Sequence, residues 1–436
     1  MSRGPRTPVA LCLLLLLSAS VALGQGQQAQ NRLLLEARLR SPQPGERIAA
    51  LRGLKDHPQI ETIRTVLLVW NKDVDADVRA AAGTTLYAFR HDAKLRPILL
   101  ATLKKEYSDA NALLAAVYLA GAKVEDHAEL LDALARVFDK RPAAVQALVP
   151  VADFLGTRDD ADAVKALTAL TKLGVFPKHF GFRRSVVFAL CAISRPEAVT
   201  TLVEVMPDCD GEVRGDIAIH LTRLAGEPFG VDFKAWKSWW LARQSSFTFP
   251  PPATQKARQF VGNVPTYYGI PVFAKKVIFV IDTSGSMAGD RIVNAKRELT
   301  KTLGDLPEGT EFNVVAYNST LVSWKRALQA ATTDSKSKAA SFVNAQKAAG
   351  ATFTYDALQI AMNQQPEAVY ILTDGKPTGG VLTEPRDILD AIKQNNKYRR
   401  TTVHVVGLDP GPDDGVFSKF LKDLAAQNWG QYRRVD

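Results

Sequence analysis

The run Val277-Ile278-Phe279-Val280-Ile281 is apolar at every position and stops abruptly at Asp282-Thr283-Ser284-Gly285-Ser286-Met287. An unbroken β-branched and aromatic run, in place of an alternating one, calls for a strand covered on both faces, as in a parallel sheet. Parallel strands need crossovers, and the sequence around this run supplies them. Strands are predicted at Val277–Asp282, Glu311–Tyr317, Leu321–Trp324, Ala368–Thr373 and Thr401–Gly407, with a last short one at Gly430–Val435 on an edge. Helical patterns lie between them at Asp290–Leu303, Ser335–Ala348, Thr354–Asn363, Pro385–Asn395 and Gly415–Asn428. That alternation predicts a doubly wound α/β sheet. Leu321–Trp324 follows its predecessor so closely that it must pair antiparallel.

The end of the first strand carries the chemistry. Asp282, Ser284 and Ser286 place three oxygen side chains within five residues on a glycine-containing loop. In open α/β sheets ligands bind beyond the carboxyl ends of the strands. Carboxylate and hydroxyl oxygens suit a hard divalent cation such as Mg²⁺. Two further segments have the same character: Gly350-Ala351-Thr352 precedes a helix, and Ala368–Thr373 is a second apolar strand, ending in Asp374-Gly375. A lone Asp-x-Ser-x-Ser is also what a helix N-cap looks like; three segments in order, each at a strand end or helix start, are more specific.

These three segments resemble the metal-ion-dependent adhesion site of the von Willebrand factor type A (VWA) family, over about Lys275 to Asp436. The resemblance implies a divalent metal (Mg²⁺, or Mn²⁺ or Ca²⁺) at Asp282, Ser284, Ser286, Thr352 and Asp374. Ser284, Ser286 and Thr352 match positions that touch the ion, and the two aspartates match positions that bind it directly or through water. It also implies that the strand bearing Asp282 lies beside the strand bearing Asp374. The function implied is adhesion or assembly, with an Asp or Glu carboxylate of a protein partner completing the ion's sphere. Ala351 stands where the family often has glycine; a methyl is small, and the loop is expected to survive with φ negative there.

Hydrolysis is the rival chemistry. Ser284 or Ser286 as nucleophile needs a base within hydrogen-bond reach. Of the histidines, only His404 falls in the domain from Lys275 onward, mid-strand between Val403 and Val405, where a core or surface-pleat role is expected. Lys376 reads as a solvated loop lysine, and no Gly-x-x-x-x-Gly-Lys phosphate loop occurs. The expectation is a non-enzyme, with a metal-dependent hydrolase and a metal-free structural scaffold as alternatives.

The remainder is organised around this domain. Residues 1–24 read as a signal peptide: Arg3 and Arg6, then an apolar core from Val9, then Ala22-Leu23-Gly24. Gln25 to Gln30 is expected to be unstructured. Residues 31–246 show helical periodicity throughout, with similar openings at Glu46-Arg47, Asp77-Val78-Arg79 and Glu212-Val213-Arg214 and looser matches at Asn111-Ala112 and Phe182-Arg183; the steps Arg47 to Arg79, Arg79 to Asn111 and Arg183 to Arg214 each have the length of one helix pair. The segment resembles HEAT-like or armadillo-like repeat proteins, which implies an all-α solenoid of stacked helix pairs. Trp236, Trp239 and Trp240 share a helix side and are expected to be core or to pack on the next domain. Pro250-Pro251-Pro252 marks a proline-rich linker, taken as 247–274, ahead of the VWA-like domain at 275–436; the stretch from Gln255 to Pro271, with Tyr267-Tyr268-Gly269-Ile270-Pro271, is expected to pack as an edge extension of that domain.

The net charge of +10 falls to +8 with the leader, because only Arg3 and Arg6 leave. That excess forms no dense basic patch, and no nucleic-acid partner is expected. Without the leader no segment is long enough to cross a membrane. Location outside the cytoplasm follows: periplasm, cell envelope or extracellular space. Cys12 leaves with the leader. Cys191 and Cys209 remain as a disulfide or, given the apolar run at Val186–Ile193, as buried thiols.

Overall fold

The computed structural model describes residues 26–105, 109–251, 264–413 and 415–436. The stretch read as a leader and the middle of the expected linker therefore lie outside the described residues. Two compact units result, one of Met1–Arg158 with Asp162–Leu173 and one of Asp159–Ala161 with Gly174–Asp436. The fold class is an all-helical region followed by an α/β domain with a wound, mainly parallel sheet.

The first unit holds α1 (26–38), α2 (Pro44–Leu54), α3 (Ile60–Lys72), α4 (Ala76–Ala88), α5 (Leu95–Lys105), α6 (Asp109–Gly121), α7 (His127–Lys140), α8 (Leu148–Gly156) and α9 (Ala161–Thr171). Helix α1 begins at residue 26, so the glutamine-rich stretch is helical. Gln and Ala are adequate helix formers, and they extend the amphipathic run that follows. Pairs such as α2 with α4, α3 with α4, α3 with α6 and α6 with α8 pack together.

The recurring arginines have a shared task. Arg47 donates to the carbonyls of Ser41 and Pro42, and Arg79 to those of Asp73 and Val74. In the second unit Arg183 donates to Pro177 O, and Arg214 to the carbonyls of Cys209 and Pro207. Each guanidinium ties down the turn preceding its own helix, whose carbonyls have no partner in a helix ladder. Arg47 also pairs with Asp73, and Arg183 with Asp210, in each case on the turn that precedes the next helix but one.

The second unit opens with α10 (Phe180–Ala192), α11 (Pro196–Val205), α12 (Gly211–Ala225) and α13 (Phe233–Arg243). Trp236 and Trp240 are fully buried and satisfied: Trp236 Nε1 donates to Gly230 O at 2.8 Å, and Trp240 Nε1 to Thr200 Oγ1 at 2.9 Å. They are core, as expected. Cys191 and Cys209 are both free thiols, and burial pushes both pKa values up.

Then come β1 (Thr266–Tyr267), β2 (Ile270–Pro271), β3 (Lys276–Asp282), α14 (Asp290–Asp305), β4 (Glu311–Tyr317), β5 (Leu321–Ser323), β6 (Gln329–Ala330), α15 (Thr333–Ala345), α16 (Thr354–Asn363), β7 (Ala368–Thr373), α17 (Pro385–Asn396), β8 (Thr402–Leu408), α18 (Val416–Gln427) and β9 (Tyr432–Val435). The main sheet runs β5-β4-β3-β7-β8-β9, with β6 also on β4. All pairs along β4-β3-β7-β8-β9 are parallel, and β5 is antiparallel to β4. Thus β3 and β7 are neighbours, as the resemblance implies.

Every residue of β3 after Lys276 is buried. Val277, Phe279 and Ile281 face one core with Leu299 and Leu303 of α14 and Val343 of α15; Ile278 and Val280 face the other with Leu358, Ile388 and Leu421. The unbroken apolar run is thereby explained by helices on both faces. β1 and β2 form a separate two-stranded sheet and do not extend the main one. Tyr267 lies against Phe279 and Tyr370, Tyr370 Oη donates to Pro271 O and Thr302 Oγ1 to Thr266 O, so aromatic burial and side-chain hydrogen bonds dock this hairpin on the domain.

The helices α10 and α12 sit at the amino ends of the parallel strands, which form the floor of the sheet. Glu367, just before β7, accepts from the N–H groups of Lys275 and Glu212. Thr402, at the start of β8, donates to Glu212 Oε1, and Arg184 of α10 donates to Arg400 O at 2.6 Å. Arg184 is wholly buried, bonds both oxygens of Asp216 at 2.7 and 3.1 Å, and lies 3.8 Å from Glu212. Its guanidinium also lies 4.7 Å from the Phe188 ring centre. A charged, aromatic-lined seam thus joins helices to sheet.

This seam makes stability depend on pH. Burial first, against two N–H donors, pushes the Glu367 carboxyl up to about 7, from an unfolded value of 4.5. Between those values the folded chain keeps a proton that the unfolded chain has lost. Stability from this group is therefore full below about pH 4.5 and is lost as pH rises through about 7, by about 3 kcal/mol. Glu367→Gln keeps an acceptor oxygen without the ionisation. Urea unfolding at pH 5 and pH 8 is expected to show the variant gaining about 3 kcal/mol on the native protein across that interval. An unchanged difference would show that Glu367 titrates normally.

Candidate functional site

The carboxyl ends of the strands form the crest, opposite the floor. Asp282 is the last residue of β3, and Asp374 directly follows β7. Both fall there because their strands are neighbouring, parallel and in register, Ile281 opposite Leu372.

Asp282 is fully buried and held rigidly. Its Oδ1 accepts from Ser284 N at 2.8 Å, and its Oδ2 from Thr373 Oγ1 at 2.7 Å and Tyr317 OH at 3.3 Å. Burial raises its pKa, with the nearby Asp374 carboxylate adding to the rise. Ser284 Oγ lies 3.1 Å from Ser286 Oγ, which donates to Asp374 Oδ1 at 2.8 Å. One chain of oxygens therefore runs from the β3 loop to the β7 loop.

Thr352 arrives on the third loop. Its peptide is pinned on both sides by Thr378: Thr352 N donates to Thr378 Oγ1 at 2.9 Å, and Thr378 N to Thr352 O at 3.1 Å. Gly285 N donates to Gly350 O, and Ala349 N to Thr283 O, which ties this loop to the β3 loop. Gly375 locates the convergence. A Cβ there would lie 3.3 Å from Ser286 Oγ and 3.8 Å from Thr352 Oγ1. A side chain at 375 would press on the Ser286 hydroxyl and touch that of Thr352. Gly350 has φ +78°, whereas Ala351 keeps negative φ and its N–H donates to Ser319 Oγ. The alanine is accommodated as expected.

The structure thus brings together all five residues singled out from sequence: Asp282, Ser284, Ser286, Thr352 and Asp374. Their side-chain donors are all oxygens, from two carboxylates and three hydroxyls, with no nitrogen or sulfur, which fits a hard divalent ion such as Mg²⁺ and not a soft one. The neutral hydroxyls of Ser284, Ser286 and Thr352 carry no charge to offset a cation.

Sequence reasoning missed the residues around this set. Arg291, in the first turn of α14, pairs with Asp374 Oδ2 at 3.0 Å and with Asp409, just after β8, at 2.7 Å. Asp409 stands at a third strand end, a position that its place after an apolar run would have marked. Thr373, Thr378 and Tyr317 have no signal beyond their neighbours. His404, by contrast, is occupied elsewhere: its ring stacks on Tyr370 at 4.5 Å, and its Nδ1 accepts from Gln431 N.

Residues 275–434 match the family model described as von Willebrand factor type A domain. Among curated relatives, "Inter-alpha-trypsin inhibitor heavy chain H4" of Homo sapiens is 33% identical over 181 residues, covering 38% of this chain and 19% of that protein. "Inter-alpha-trypsin inhibitor heavy chain H6" of Homo sapiens is 33% identical over 184 residues, and "Inter-alpha-trypsin inhibitor heavy chain H1" of Bos taurus 33% over 174. The chain spans a fifth or less of the length of these relatives, 19%, 14% and 18%. Among solved structures, "von Willebrand factor type A from Catenulispora acidiphila" aligns over 38% of this chain and 40% of that one, at 22% identity and a TM-score of 0.33.

Proposed function

We propose that this chain is an exported, non-enzymatic interaction protein whose α/β domain takes an acidic group of a protein partner at a divalent-ion site formed by Asp282, Ser284, Ser286, Thr352 and Asp374. The observation that carries this reading is the convergence of Ser286 and Thr352 around Gly375, next to the Ser286–Asp374 bond. A bound Mg²⁺ or Mn²⁺ supplies a hard cationic centre for a carboxylate. Asp282, fixed by Ser284 N, Thr373 and Tyr317, orients the β3 loop, and the hydroxyls donate without neutralising the cation. The match of residues 275–434 to the VWA domain supports an interaction role. The arginine-anchored helical region is read as a HEAT-like stack offering a further binding surface. Export rests on the leader pattern at residues 1–24. Among the described residues no helix is long and apolar enough to cross a membrane.

The test is affinity capture from the native envelope and secreted fractions, with and without chelator, using the native chain and Asp374→Ala. A protein partner retained only by the native chain, and only without chelator, is expected. Equal retention in all four samples would refute the reading and leave the helical region as the binder.

A further inference from the structure

Asp374 has a fully buried side chain, and a buried carboxylate requires a counter-charge. Arg291 supplies it. The Nη1 of this residue donates to Asp374 Oδ2 at 3.0 Å and lies 3.3 Å from Ser286 O, so the guanidinium stands against two of the loops that form the crest site. The Nη2 reaches the other way, to Asp409 Oδ2 at 2.7 Å. Asp409 belongs to none of the three loops of the proposed site and is largely exposed, at 60% of its side chain. Arg291 itself is 40% exposed, with room to move toward solvent. One flexible cation is therefore shared between a buried acid inside the site and an exposed acid at its rim.

We infer that Arg291 is an internal competitor of the divalent ion at Asp374, and that Asp409 is the resting place that receives its guanidinium when an ion binds. The inference rests on the ion site proposed above and adds its regulation. A divalent ion shared by Asp282 and Asp374 would draw on the same Asp374 charge that Arg291 neutralises, and the two cations repel. Pairing of Arg291 with Asp374 and ion binding are then linked, each weakening the other by the same factor. Asp409 sets the balance, because any attraction it exerts on Arg291 lowers the hold on Asp374.

Calorimetric titration of the full chain with Mn²⁺ tests this. Arg291→Gln is expected to bind Mn²⁺ about tenfold more tightly, the bulk-water effect of removing a unit charge roughly 6 Å from a divalent ion. Arg291→Lys, which keeps the charge, should stay near the native affinity. Asp409→Asn should weaken binding about three- to fivefold when Arg291 is present, as Arg291 falls back on Asp374. In the Arg291→Gln background, Asp409→Asn should have a clearly smaller effect, that of a plain charge removed at a distance. Equal or weaker binding by Arg291→Gln overturns the inference. So does an Asp409→Asn effect of the same size in both backgrounds, which would make Asp409 a plain distant charge. Those failures leave the ion site itself standing. Absence of Mn²⁺ binding in the native chain and in every variant overturns both.

Discussion

Arg184→Met is expected to destabilise the Gly174–Asp436 unit by about 3–5 kcal/mol at pH 8, measured by urea unfolding of the full chain. Methionine fills most of the space among Phe180, Phe188 and Trp429, so the loss is chiefly electrostatic. Arg184 bonds both oxygens of Asp216 and faces Glu212, and all three groups are in the seam below the sheet. Removing the cation strands two carboxylates away from water and also takes a donor from Arg400 O. Asp216 softens the blow at low pH. Burial already raises its pKa to about 6 beside Arg184, so near pH 5 it can protonate and the deficit should shrink. The double variant Arg184→Met, Asp216→Leu should lose less than the single, because apolar replacement of a buried pair is far cheaper than breaking it. A single-variant loss below about 1 kcal/mol would mean the seam is solvated and the pairing incidental.

The second large effect lies at the crest. Asp282→Asn should abolish stabilisation by divalent ions. With an ion at 100 times its dissociation constant, the native chain should gain about 2.7 kcal/mol, and the variant none. Without an ion the order should reverse. Asp282 is buried with its pKa raised chiefly by that burial, so its charge is a cost that only a cation relieves. Asparagine keeps the acceptor oxygen for Ser284 N and removes the charge. Thermal unfolding with chelator, then with Mg²⁺ or Mn²⁺, reads both halves. A native chain whose melting is indifferent to either ion would count against the metal reading.

Much of this was legible because it is written locally. The uninterrupted run Val277–Ile281 declares helices on both faces, and strand limits at Glu311–Tyr317 and Ala368–Thr373 follow from the same rule. The crest residues were visible because each sits at a strand end or helix start. The repeated arginines were visible as spacing, but their work, holding the preceding turn by its carbonyls, needed coordinates. What stayed hidden is assembled from distant pieces. Arg184, Glu212, Glu367 and Thr402 meet only after the sheet forms, and none stands in a motif. Arg291 and Asp409 are an ordinary helix arginine and an ordinary loop aspartate until the strand ends bring them to one carboxylate. The hairpin Thr266–Pro271 carries a strand-like composition, yet aromatic burial against Phe279 and Tyr370 decides its place.

The placement of α10 and α12 under the amino ends of β3, β7 and β8 has a mechanical consequence. A tether fastened at the crest and resisted at the floor pulls lengthwise along strands about 20 Å long. Their ladders would then be loaded in shear, with many hydrogen bonds strained at once, and not unzipped one after another.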